Sequence, residues 1–148
     1  MTMKKIICLV LSFLFVLTLF SCSKEAEPTE YDVIKSFFSD LSQKKFDSIA
    51  SRSVKPDGSA VQAKDIESIY EYIVAAGADP SEGFTVKQTK KIVAVSATAK
   101  TANTYDIIAI CGDKCVAFEL TLEKRDSGYV FTQIYTFGTV SSDVTLAE

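Results

Sequence analysis

Ile34, Phe37, Phe38 and Leu41 fall at i, i+3, i+4 and i+7, which lays one apolar stripe along a helix. Thr29-Glu30-Tyr31-Asp32 supplies its start, with Thr29 at the N-cap, Asp32 at N3 and Pro28 just outside. Beyond Gln43-Lys44-Lys45, Phe46 and Ile49 continue the period in a short second helix. Ser51 to Ser59, with Pro56-Asp57-Gly58, carries the chemistry of a loop. A third helix follows: Ile66, Ile69, Tyr70, Ile73 and Val74 share one face, and Gly77 is placed to stop it. Asp79-Pro80-Ser81-Glu82-Gly83 then breaks the chain.

From Phe84 to about Gly138 the period is two, and Val, Ile, Thr, Phe and Tyr become frequent. This predicts four strands: one within residues 84–100, then 104–111, 115–124 and 129–137. Ala102-Asn103, Gly112-Asp113-Lys114 and Asp126-Ser127-Gly128 are the turns between antiparallel neighbours. Val116, Phe118, Leu120 and Leu122 alternate with Ala117, Glu119, Thr121 and Glu123, so the third strand has one apolar and one wet face. Helices first and a meander afterwards predict an α+β domain over residues 30–138, its N-terminal helices packed on a bent antiparallel sheet of about four strands. Residues 139–148 read as a flexible polar tail. No internal repeat or low-complexity tract interrupts the pattern.

The start of the chain follows neither period. Lys4-Lys5 precedes an apolar stretch from Ile6 to Phe20, broken only by Ser12 and Thr18. A basic segment, an apolar segment and a small residue in that order predict a secretory signal over residues 1–21, removed on export. Fifteen residues in a helix reach roughly 22 Å, short of the roughly 30 Å hydrocarbon core, so a permanent membrane span is the poorer fit. Leu19-Phe20-Ser21-Cys22 resembles a lipobox, the site read by the bacterial lipoprotein-processing machinery. Leu19 and Ser21 match that pattern, and Phe20 is bulkier than usual there. The resemblance implies acyl chains on Cys22, and two or three chains make a stable anchor where one is marginal. Ser23 after the cysteine, by resemblance to sorting patterns, favours the outer membrane of a cell envelope. Residues 22–29 then read as a polar tether between lipid and domain.

Composition narrows the domain's chemistry. Without the two lysines of the signal, 14 basic residues stand against 19 acidic ones, a net charge of −5. That balance argues against a nucleic-acid partner. The chain has no histidine. This excludes Ser-His-Asp and Cys-His catalysis within the chain and argues against most zinc sites. No cofactor or metal is expected.

The helix–break–small helix opening, Val33 to Leu41 and Lys44 to Ile49, together with the four closing strands, resembles the nuclear-transport-factor-2-like (cystatin-like, SnoaL-like) fold family, which includes small uncharacterised lipoproteins. The resemblance implies a cone-shaped space between helices and curved sheet. Enzymes of the family, isomerases and dehydratases, work there with a carboxylate. Asp106, read onto the apolar face beside Ile108 and Ile110, is the one candidate catalytic residue, and a solvated strand-end carboxylate is its plain alternative. The aromatic set Tyr70, Tyr72, Tyr105, Tyr129, Phe131, Tyr135 and Phe137 reads as core before it reads as a ligand box. Lys87, Lys90, Lys91 and Lys100 read as edge-protecting charges.

Cys111 and Cys115 flank a three-residue loop and would face each other across it, away from Val116 and Phe118. In an oxidising compartment a disulfide is the first expectation, with two free thiols, a redox pair and half a metal shell as alternatives. Taken together, the sequence predicts a membrane-anchored envelope lipoprotein. Its domain would bind a small apolar ligand or another envelope protein without catalysis. An isomerase- or dehydratase-like enzyme and a structural accessory subunit of an envelope complex are the rivals.

Overall fold

The computed structural model describes residues 26–94 and 102–147. Cys22 and its lipobox, the signal and Lys100 lie outside the described residues. Helix α1 spans Glu30–Ser42, α2 Phe46–Ser51 and α3 Ala63–Ala75, and a 3-10 turn covers Pro80–Glu82. The strands are β1 (Thr85–Ala94), β2 (Ala102–Cys111), β3 (Lys114–Arg125) and β4 (Gly128–Val140). They form one antiparallel sheet in the order β1-β2-β3-β4. The α+β class and the helices-then-sheet order agree with the hydrophobic pattern.

Local chemistry sets the helix ends as the sequence implies. The Thr29 side chain accepts from Asp32 N while the Asp32 carboxylate accepts from Thr29 N, a reciprocal cap that satisfies two otherwise orphan donors. Gly77, with φ 89°, takes the left-handed position beyond α3 that a side chain would resist. Val33, Ile34, Phe37, Phe38 and Leu41 bury the inner stripe of α1, and Ile66, Tyr70 and Ile73 that of α3.

These stripes cover one face of the sheet. Tyr105, Ile107, Ala109 and Cys111 of β2 and Val116, Phe118, Leu120 and Leu122 of β3 point into the same core. Ile108 and Cys115 are buried as well, but on the opposite, outer face. Extra residues in β4 opposite Ala117/Phe118 and Thr121/Leu122 make two bulges, which locally bend and twist that strand. Ala102 and Asn103 belong to β2 rather than to a turn.

The end of the chain departs from expectation. Strand β4 continues to Val140, opposite Cys115, so residue 139 starts no tail. After a turn closed by Val144 N to Ser141 O, residues 142–147 reach β1 at the far side of the sheet. Lys87 Nζ donates to Ser142 O, Leu146 N donates to Gln88 Oε1 at 2.8 Å, and Lys90 Nζ donates to Ala147 O. Gln88 and Lys90 pair with Ile108 and Asp106, so they lie on the outer face, and the segment meets β1 there. A polar segment has no periodic signature, which is why it reads as unattached from sequence. Its attachment comes from side chains 55 to 58 residues away.

Candidate functional site

The space between helices and sheet is filled by phenylalanine. Phe38 meets Phe118 edge to face with centroids 5.1 Å apart, Phe37 lies 5.4 Å from Phe131, and Phe84 lies 5.2 Å from Phe38. Such offset and edge contacts satisfy the ring quadrupoles and leave the concave side packed. An apolar cleft of about 180 Å³ remains outside it, between Val54, Val61, Ile66, Ile69, Phe131 and Ile134. Sites for drug-sized ligands run from roughly 300 to 1,000 Å³, a range reached by open surface clefts beside Pro28 and Tyr129 (about 450 Å³), Tyr31 and Phe84 (about 420 Å³) and Asp47 and Gln62 (about 580 Å³) but not by this apolar cleft. The charged side chains at its rim, Lys55 and Asp65, are paired with each other at 3.3 Å.

Asp106 is on the outer face, between Lys90 of β1 and Glu119 of β3. The sequence reading had put it with the helix-facing residues. Tyr105 to Cys111 offers apolar side chains at both parities, so alternation there selects no face. Pairing decides the matter: Ile107 sits opposite Phe118 and Tyr105 opposite Leu120, and both partners are core residues. Asp106 therefore has no access to the packed interior.

The cysteine pair is corrected by the same register. The β2–β3 turn has two residues, Gly112 and Asp113, not three, and Cys111 lies opposite Lys114 while Cys115 lies opposite Ile110. Gly112 has φ 61°, the positive value that the first position of a tight II′ hairpin turn requires. Cys111 consequently faces the core and Cys115 the outer side, with the sheet between them. Both thiols are free and buried. The Cys111 thiol donates to Asp79 O at 3.1 Å. Burial, with the carboxylates of Asp79 and Glu82 nearby, pushes it up to about 11, so it stays protonated and unreactive near neutral pH. Among the described residues, no group of three or more acidic or cysteine side chains could hold a metal ion.

No protein-family model, characterised protein or solved structure matches this chain. Its chemistry must therefore be read from its own side chains.

A polar cluster missed by the sequence reading sits where α1 begins. The Glu30 carboxylate accepts from Lys91 Nζ at 2.9 Å, from the Tyr105 hydroxyl and from Asn103 Nδ2. Burial pushes the Glu30 carboxyl up, but the three donors together outweigh it and hold the group below its usual range. The Tyr105 hydroxyl is raised, first by burial and then by its bond to Glu30, and Lys91 is raised by Glu30 as well. Each group keeps its ordinary protonation state at neutral pH. The Tyr105 phenol is a donor here and not a base. The cluster clamps the start of α1 to β1 and β2. Its members are 61 to 75 residues apart in sequence, so no local pattern announces it. A second tie joins α1 to α2: Arg52 donates to Asp40 at 2.6 Å, to Ser36 at 3.0 Å and to Ser48 O at 3.1 Å.

The surface differs sharply between the two sheet edges. Lys87, Lys90 and Lys91 line β1, and all three ammoniums hold partners within the chain rather than standing free in water. From Gly128 to Val140, β4 carries no charged residue, and Tyr135 and Phe137 on it are 52% and 60% exposed. At its start, β4 already accepts a short parallel partner, with Phe131 N bonding Arg52 O and Val54 N bonding Phe131 O, both at 2.8 Å.

Proposed function

We propose that this chain is an envelope lipoprotein, anchored through acyl chains on Cys22, whose domain binds another envelope protein and performs no catalysis. The observation that carries the reading is the ordered start of the chain: Lys4-Lys5, the apolar run to Phe20, and Leu19-Phe20-Ser21-Cys22 before a polar tether. Three further features support the binding half. The interior is packed with Phe37, Phe38, Phe84 and Phe118, Asp106 is turned away from it, and the edge strand β4 presents uncharged aromatic surface. Exposed apolar surface of this kind on a soluble domain marks an interaction site more often than a catalytic one. The small-ligand reading has the apolar 180 Å³ cleft and wider, open, partly polar surface clefts of about 420 to 580 Å³, and the accessory-subunit reading is a special case of protein binding. We place the domain beside the nuclear-transport-factor-2-like folds on its sequence pattern, and the chain at the outer membrane on Ser23.

The test is the Cys22→Ala variant. The exported protein should leave the membrane fraction and lose labelling by a fatty-acid analogue. A variant that stays membrane-bound would overturn the anchor.

A further inference from the structure

We propose that the outer face of the sheet is a docking surface for an extended peptide segment of a partner protein, and that residues 142–147 occupy it in cis. The proposal rests on the binding role above for its use, while the surface itself rests on geometry. Ile108 and Cys115 point away from the core, yet they are only 1% and 6% exposed. The segment that crosses from Val140 to Gln88 and Lys90 spans the strands between, β3 and β2, which carry those two residues. The surface therefore has an occupant, and the way it is held describes what else would fit. All three long-range attachments are to main-chain groups: Ser142 O, Leu146 N and Ala147 O. Any extended peptide offers such groups. Val144 closes the turn and is exposed, whereas Leu146 is half-buried, so the side-chain requirement is one apolar residue at the Leu146 position. Residues 141–147 belong to no strand ladder, and the two lysines that hold them are side chains at the surface. Such a segment opens more readily than a paired strand. The fitting partner is an extended segment with a branched apolar side chain at the position of Leu146, bound through its carbonyls by Lys87 and Lys90.

Cys115 reports on occupancy, because its thiol faces the covered side, and Cys111 is the internal control in the core. Alkylation of each cysteine is followed by mass spectrometry in the full membrane-bound protein and in a variant ending at Val140. Cys115 should react about tenfold faster or more in the shortened chain, with Cys111 unchanged. A synthetic peptide of residues 141–147 should restore protection saturably, and the same peptide with Leu146→Asp should not. Equal Cys115 rates in the two proteins, or failure of the peptide to protect, would overturn the proposal. Faster Cys111 in the shortened chain would overturn it too, because the segment would then be part of the fold and not a removable occupant. The full-length Leu146→Asp variant repeats the test without changing the length. Its Cys115 should accelerate in the same way, and a protected Cys115 would again count against it. Fatty-acid labelling is indifferent to these outcomes, so failure here and failure of the anchor are separable.

Discussion

Ile107 and Ile108 are neighbours on β2, 0% and 1% exposed, and they are buried by different means. Ile107 lies opposite Phe118 in the core that α1 and α3 cover. Ile108 lies on the far side beside Gln88, whose side chain accepts from Leu146 N of a short, ladder-free segment. Equal burial thus conceals unequal commitment. On our proposal one face is part of the cooperative fold, whereas the other is closed by a removable segment.

Matched substitutions should expose this difference. Ile107→Ala is expected to cost about 4–5 kcal/mol in denaturant unfolding, because a core locked by interleaved aromatic rings cannot collapse into the cavity. Ile108→Ala should cost about 2 kcal/mol, since residues 142–147 can settle into the space. Equal losses would break the comparison. Glu30→Gln should cost about 1–3 kcal/mol, because Lys91 loses its counter-charge and the clamp that closes the inner face loosens. That change should also flatten the acid limb of stability. The folded-state pKa of Glu30 lies below its ordinary value of 4.5. Between the two, the unfolded chain binds a proton that the folded chain does not, so stability falls as the pH drops through that window. The variant should lack this share of the slope in thermal melts between about pH 5 and pH 3. The smallest effect belongs to the uncovered part of the outer side. Tyr135→Lys should change stability by no more than about 0.5 kcal/mol, because the residue is half exposed, while it places a charge on the otherwise uncharged β4. A larger loss would mean that this edge is already committed to the fold.

Where one chemistry dominated a segment, the sequence declared the structure. The Thr29–Asp32 cap, the α1 and α3 stripes, Gly77 and the inward row of β3 are all written in local spacing. Legibility failed where both faces of a strand are apolar. Tyr105 to Cys111 could be assigned either way, and one residue in the turn at Gly112 decided the orientation of Asp106 and the separation of the two thiols. It failed again where the partners are remote. The Glu30 clamp and the attachment of residues 142–147 depend on contacts across 55 to 75 residues, which no window of sequence can contain.

The clamp at Glu30 has a mechanical meaning. Tension arriving along the chain from its N-terminal side meets the Glu27–Lys124 bond at 3.2 Å and then the ties from Glu30 to Lys91, Asn103 and Tyr105. Those residues lie on β3, β1 and β2. A pull is therefore spread over three strands in parallel before it can peel the first turn of α1. Under the proposed anchor at Cys22, the sheet would take the strain and the helix would keep its shape.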